Sequence, residues 1–111
     1  MQAGFMVHDA DHALRIDQQG ALRRLLQRAD ELIPPAAVYA ATSPVRADNA
    51  RYYLYPRRAV VTGFSRRGLE RSGVRWVIVT RDAVPQNLRG ERRWYRVAAS
   101  TSAGRVLEVT G

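Results

Sequence analysis

The clearest periodic pattern in the chain lies between Asp17 and Ile33, where apolar residues recur at three- and four-residue spacing. This spacing places them on one face of an α-helix, with arginine and acidic residues on the opposite face. Asp17 can serve as the N-cap, and Pro34-Pro35 ends the helix because a residue before proline avoids helical geometry. The pattern therefore predicts a long amphipathic helix whose buried face is Ala21, Leu22, Leu25, Leu26, Ala29, Leu32 and Ile33.

Three later segments are continuously apolar, as expected for strands that are covered on both faces. They are AAVYAATS (36–43), AVVTGF (59–64) and VRWVIVT (74–80). After a predicted turn at 44–49, a short helix that begins near Ala47 should end before Pro56, and a second helix should be capped by Ser65 and stopped by Gly73. The alternation predicts a βαβαβ unit with a parallel sheet.

The C-terminal part of the chain has a different pattern. Residues 81–93 are polar and contain proline, asparagine and glycine, which predicts a loop with at most one helical turn. Two β-rich segments, 93–100 and 104–111, are joined by TSAG and predict an antiparallel hairpin.

The predicted fold class is therefore α/β. We expect a small three-layer sandwich with a mostly parallel sheet of about five strands, in which a long amphipathic helix precedes the βαβαβ unit and a hairpin follows it. Residues 1–16 are expected to form a partly disordered N-terminal extension, and residues 17–111 a single domain.

Composition agrees with one globular domain. The chain has 111 residues, of which 46% are hydrophobic and 25% charged. It contains no cysteine, which excludes disulfides, zinc–thiolate sites and thiol nucleophiles. We expect neither a membrane span nor a signal peptide, because no apolar run approaches about 20 residues and the N-terminus lacks a basic start followed by an apolar stretch.

The positive charge of the chain comes from arginine alone. The formal net charge is +8, and all 18 basic residues are arginine, a bias that a G+C-rich genome would also produce. Arginine binds phosphate through its planar fork, so nucleic acid and anionic membranes are both possible partners. The arginines are scattered from Arg15 to Arg105 and form no long basic block, which makes nucleic acid the less favoured partner.

Candidate motifs for metal or phosphate binding are incomplete. His8 and His12 lie four residues apart and would share one face of a helix, but no third ligand is marked and the glutamate of the catalytic zinc motif is missing. TGFSRRG brings Arg66 and Arg67 to a helix start that could bind a phosphate, yet it matches neither a dinucleotide-binding nor a P-loop pattern. We predict no metal and no cofactor.

Catalytic residues cannot be nominated either. The serines lack a G-x-S-x-G elbow, both histidines lie near the start, and no pair of carboxylates is placed for acid–base work. A small hydrolase is therefore the least favoured hypothesis, and no catalytic activity is predicted for this chain.

The segment RYYLYPRR, residues 51–58, is the strongest candidate for a binding surface. Its Tyr53 and Leu54 should be buried, and its other side chains should form an aromatic and cationic rim. Such a rim can stack on and bind a nucleotide, lie at the headgroup level of a membrane, or cap the sheet edge. The structural alternative is that the tyrosines pack and the arginines pair with Asp48 or Glu70. The candidate binding residues are Arg51, Tyr52, Tyr55, Arg57, Arg58, Arg66 and Arg67.

The order of elements adds a resemblance. A helix ending in prolines, an apolar strand, RADNARYYLYPRRAVVTGF, GVRWVIVT and the final hairpin together resemble the soluble C-terminal extracytoplasmic domain of bacterial multi-spanning membrane glycosyltransferase-like proteins. In that family an R-Y-x-L-Y-P-R segment precedes the second strand of the domain. The similarity covers about residues 21–111.

This resemblance implies a non-catalytic accessory domain at the extracytoplasmic face of the bacterial inner membrane. Its partners would be the membrane surface, the parent transmembrane domain or a polyprenyl-phosphate sugar. The acidic residues that these transferases carry between membrane helices have no counterpart here, so no catalytic residue is carried over. The alternative is a free-standing nucleotide- or nucleic-acid-binding α/β module, which would be cytoplasmic if the chain is complete.

Overall fold

A mixed sheet with helices on both faces forms the fold in a computed structural model, which describes residues 20–90 and 92–110. The α/β class is thereby confirmed. The helices are α1 (20–32), α2 (Pro44–Leu54), α3 (Arg66–Ser72) and a short 3₁₀ turn at Gln86–Leu88. The strands are β1 (Tyr39–Ala41), β2 (Trp76–Thr80), β3 (Tyr95–Thr101) and β4 (Gly104–Val109).

Helix α1 has the predicted amphipathic character. Its residues Ala21, Leu25, Leu26 and Ala29 are buried, and Ile33 just beyond it is also buried. The last backbone hydrogen bond of the helix runs from the Ile33 N–H to the Ala29 carbonyl at 2.8 Å, directly before the two prolines. The predicted cap at Asp17 lies outside the described residues.

The predicted turn at 44–49 is wrong, because helix α2 already begins at Pro44. Proline suits the first position of a helix, since its fixed φ is helical and its missing N–H would have no partner there. Helix α3 follows its prediction: the Ser65 hydroxyl accepts a hydrogen bond from the Gly68 N–H at 3.0 Å, and Gly73 stops the helix at a φ of 69°.

The strand order is β1-β2-β4-β3. Strands β1 and β2 are parallel, whereas β4 is antiparallel to both β2 and β3. The predicted C-terminal hairpin is confirmed, but the prediction of a mostly parallel sheet is wrong. Strand β4 turns back from β3 and inserts beside β2, so most of the strand pairs in the described sheet are antiparallel.

The predicted strand at 59–64 is also wrong, and the described sheet has four strands instead of about five. The segment meets β1 at one isolated parallel bridge, Ala59 to Tyr39, in which the Tyr39 N–H donates to the Arg58 carbonyl at 3.1 Å and the Val60 N–H donates to the Tyr39 carbonyl at 2.8 Å. Beyond it the chain departs from the sheet: Val61 is 96% exposed. The Thr62 hydroxyl then hydrogen-bonds the Gly68 carbonyl at 3.1 Å, which ties the chain to helix α3.

Two apolar clusters cover the two faces of the sheet, so the described part of the chain has three layers. Helices α1 and α2 pack on one face, and α3 and the 3₁₀ turn pack on the other. The first cluster is Leu25, Leu26, Ala29, Ile33, Tyr39, Ala50, Leu54, Trp76, Ile78 and Val106. The second cluster is Ala40, Leu69, Val74, Val77, Val79, Leu88, Tyr95, Leu107 and Val109.

The hairpin gives a test of this packing. Gly104 begins β4 at a φ of 153°, and a Cβ there would overlap the backbone of Val79 and Thr80 on the neighbouring strand. We expect Gly104→Ala to lower the free energy of unfolding by at least about 3 kcal/mol, or to prevent folding. Urea unfolding followed by circular dichroism measures the loss.

Gly90→Ala is the matched control. Gly90 has a φ of 72°, and a Cβ added there would have no atom within 4 Å, so only the left-handed backbone opposes alanine. The expected cost is about 1–2 kcal/mol. Equal losses for the two variants would contradict the close approach of β4 to β2.

Candidate binding surface

Arg57 is the best-anchored member of the RYYLYPRR segment. Its side chain is only 8% exposed and forms an ion pair with Asp30, with 2.7 Å between Nη1 and Oδ1. The guanidinium also donates to backbone carbonyls: Nε to Ile33 at 3.0 Å and to Pro34 at 3.2 Å, and Nη2 to Asp30 at 3.0 Å. The Asp30 carbonyl lies in the last turn of α1 and the Ile33 carbonyl directly after it, where intrahelical donors run out, and the Pro34 carbonyl also accepts the Ala37 N–H at 3.0 Å. Arg57 therefore connects the end of α1 to the chain that leaves α2.

The neighbours of Arg57 in this segment point outward. Tyr52 is 83% exposed and Tyr55 82% exposed. Arg51 is also exposed, and its closest acidic partner, Asp48, lies 3.9 Å away, a weak surface ion pair. Arg58 is exposed and has no ion pair among the described residues. We call Arg51, Tyr52, Tyr55 and Arg58 the Arg/Tyr surface.

Helix geometry explains why part of the segment is buried and part is not. Leu54 is fully buried and Tyr53 half-buried, as predicted. Tyr52 lies on the exposed side of the last turn of α2, and Tyr55 is the exposed residue directly after the helix. The ring of Tyr52 meets the ring of Tyr53 edge-on, with 5.5 Å between the centroids. This contact orients Tyr52 while leaving most of its surface in water.

Most of the exposed large apolar side chains among the described residues come from one stretch of sequence. Tyr52, Tyr55, Val61 and Val97 are the exposed large hydrophobic residues of the described chain. The first three fall within ten consecutive residues, whereas Val97 lies on β3 and is 40% exposed. Sequence reasoning missed Val61, because an apolar residue in an apolar run predicts burial.

Arg66 and Arg67 belong to a different element. They begin α3, which packs through Leu69 on the face of the sheet opposite to α2. Both side chains are exposed, and Arg66 pairs with Glu70 at 3.2 Å. The fold therefore assigns them to another helix than the one that carries Arg51 and Tyr52.

Tyr39 is an internal residue near the Arg/Tyr surface that sequence reasoning did not single out. It is fully buried on β1, and its hydroxyl has no hydrogen-bond partner within the described part of the chain. Burial raises the pKa of the Tyr39 hydroxyl, and the positive charges of Arg51 and Arg57 oppose part of that rise.

The described residues contain no group of three or more histidine, cysteine, aspartate or glutamate side chains placed to hold a metal. The His8/His12 pair lies outside the described residues. Within residues 20–90 and 92–110, no helix is long and apolar enough to cross a bilayer.

Comparisons with protein-family models, with curated proteins and with solved structures return no match to the chain. The resemblance to the extracytoplasmic domains of membrane glycosyltransferase-like proteins therefore stays a prediction.

The role of Arg57 can be tested by its removal. We expect Arg57→Ala to lower the free energy of unfolding by about 2–3 kcal/mol, because carbonyls at the end of α1 lose a charged donor. Urea unfolding of the wild type and of the variant measures the difference.

Arg58→Ala removes the same charge from an exposed neighbour and should change stability by no more than about 0.5 kcal/mol. If both variants lose the same stability, Arg57 is not an anchor.

The buried hydroxyl of Tyr39 should make the stability of the fold depend on pH in the alkaline range. Because its pKa in the folded state is raised above the ordinary 10.0, the folded protein holds the proton more tightly than the unfolded chain does. The contribution to stability is complete below about pH 10 and is lost as the pH rises through the raised value. Tyr39→Phe should remove this alkaline loss and, at neutral pH, equal or exceed the wild type in stability, because no unpaired hydroxyl is buried.

Thermal unfolding between about pH 8 and about pH 11.5 measures the effect, since this range spans the ordinary tyrosine pKa of about 10. Tyr55→Phe, which removes an exposed hydroxyl, is the control and should keep the wild-type dependence. A Tyr39→Phe variant that loses stability as steeply as the wild type would show that this hydroxyl does not contribute.

Proposed function

We propose that this chain is a non-catalytic accessory domain that binds an anionic membrane surface through the Arg/Tyr surface and Val61. One observation carries the proposal: Tyr52, Tyr55 and Val61 are each more than 80% exposed and lie beside Arg51 and Arg58 in the chain. Large apolar side chains left this exposed are candidates for an interaction site.

The chemistry of these side chains matches a bilayer interface. Tyrosine is enriched at the headgroup level, where its ring meets apolar surface and its hydroxyl meets water. Arginine near an anionic leaflet contributes about 1 kcal/mol of attraction per residue. Val61 adds an apolar side chain that can contact acyl chains but has no use in a phosphate contact. The combination favours a membrane over a purely ionic partner.

The parent protein and the location are further parts of the proposal. The resemblance of the 51–58 segment and its surroundings supports an extracytoplasmic domain of a membrane-bound glycosyltransferase-like protein. In that setting the same surface would contact the bilayer, the parent membrane domain or the phosphate of a polyprenyl-linked sugar. Phosphate flanked by apolar chain is the chemistry that the lipid-linked sugar shares with the lipid headgroup region.

A second candidate function is single-stranded nucleic-acid or nucleotide binding. Exposed tyrosines beside arginines also suit base stacking and phosphate contact. Under this alternative the tyrosines are essential and Val61 is not, which separates it from the membrane proposal.

Vesicle flotation tests the proposal. The protein should float with vesicles that contain phosphatidylglycerol and stay behind with pure phosphatidylcholine. Arg51→Gln combined with Arg58→Gln should reduce partitioning roughly 30-fold, since about 2 kcal/mol of attraction is lost. Tyr52→Ser combined with Tyr55→Ser should also reduce it, and Val61→Ser should do so to a smaller extent.

The control is Arg71→Gln combined with Arg75→Gln, which removes the same charge from exposed positions on and after α3. Equal loss in the control pair would mean that net charge alone drives binding and would contradict the proposal. Failure to float, together with tyrosine-dependent binding to an oligothymidine strand, would replace it with the nucleic-acid alternative.

A further inference from the structure

A cavity of about 260 Å³ lies at the carboxyl end of β2, under the β3–β4 hairpin. Its apolar lining includes Val79, Leu88 and Leu107, which belong to the core on the α3 side of the sheet. The volume is slightly below that of most small-molecule sites, so the cavity suits a small ligand.

Two arginines and three hydroxyl residues provide the polar part of the lining: Arg81, Arg105, Ser100, Thr101 and Ser102. No residue lining the cavity is acidic, as far as the chain is described. Within residues 20–90 and 92–110, neither guanidinium forms an ion pair, in contrast to Arg57 and Arg96. The neighbouring carboxylate of Asp82 is directed to Arg46 at 4.0 Å.

The fold brings these side chains together. Residues Val79 and Arg105 face each other in the β2–β4 ladder, and Ser100 faces Arg105 in the β3–β4 ladder. Arg81 is fixed by its backbone N–H, which donates to the Ala103 carbonyl at 2.8 Å. The Thr101 hydroxyl already accepts the Ala103 N–H at 3.1 Å. The hydroxyls of Ser100 and Ser102 have no protein partner in the described chain and can donate to a ligand.

The cavity lies at the carboxyl end of β2, the end of a strand at which α/β sheets commonly bind ligands. Its lining comes from β2, the segment that follows β2, and the β3–β4 hairpin.

We propose that this cavity binds a small organic anion, a carboxylate or phosphate ester that carries a compact apolar group. The anionic head lies against Arg81 and Arg105, whose like charges an anion would neutralise. The serine hydroxyls complete the contacts to the head, and the apolar group rests on Leu88 and Leu107. None of these residues belongs to the Arg/Tyr surface, so the inference is independent of membrane binding.

A titration monitored by ¹H–¹⁵N NMR on the full chain tests the proposal with four probes: phenyl phosphate, hexanoate, inorganic phosphate and benzyl alcohol. At least one organic anion should bind about tenfold or more tightly than inorganic phosphate and benzyl alcohol. Its saturating shift changes should be confined to residues 79–88 and 100–107. The relative affinity of the two organic anions then identifies the head group as phosphate ester or carboxylate.

Arg81→Gln combined with Arg105→Gln should weaken that binding about tenfold or more, since charge-assisted hydrogen bonds are lost. The dispersed spectrum of the variant verifies that it is folded. Arg51→Gln combined with Arg58→Gln removes equal charge elsewhere and should leave the affinity unchanged. Equal weakening by both pairs, equal affinity for inorganic phosphate, or equal affinity for benzyl alcohol would overturn the proposal.

Discussion

The buried guanidinium of Arg57 is the contact on which the arrangement of the Arg/Tyr surface depends. The last carbonyls of any helix lack intrahelical donors, and the two prolines after α1 provide no N–H of their own. Arg57 donates to the carbonyls of Asp30, Ile33 and Pro34 and pairs with the Asp30 carboxylate. One side chain thereby fixes the end of α1 against the chain that leaves α2.

The anchor at Arg57 determines which neighbouring side chains face solvent. With Leu54 buried in the same apolar cluster as α1 and Arg57 turned inward, Tyr52, Tyr55 and Arg58 are left facing solvent. An exposed cluster of this kind costs solubility if it has no partner, whereas an anionic membrane would match both its charge and its apolar part. The proposed function therefore follows from what the anchor leaves exposed, not from the arginine content of the whole chain.

The sheet separates this surface from the second proposed site. Helices α1 and α2 lie on one face, and the cavity under Arg81 and Arg105 opens on the side where Leu88 and Leu107 pack. A domain at a membrane could in this way hold a soluble anion while its Arg/Tyr surface contacts lipid.

Local signals predicted the elements whose causes are local, and long-range pairing decided the rest. Helix α1 follows from its periodicity, and α3 follows from Ser65 and Gly73. Residues 59–64 look like a covered strand because they are apolar, but Thr62 bonds to α3, which no local pattern shows. The insertion of β4 beside β2 likewise decides the direction of the sheet. Arg57 and Arg58 are adjacent arginines that no sequence signal distinguishes. The position of the α1 end makes Arg57 an anchor and leaves Arg58 on the surface.

The exchange rates of the arginine Nε protons, measured by ¹⁵N NMR with and without anionic bicelles, test the central claim most directly. The Nε–H of Arg57 should exchange slowly in both samples, because it is buried and hydrogen-bonded to the Ile33 carbonyl. Those of Arg51 and Arg58 should exchange rapidly in free protein and slow down when bicelles are added. Rapid exchange at Arg57, or no response of Arg51 and Arg58 to the bicelles, would contradict the account.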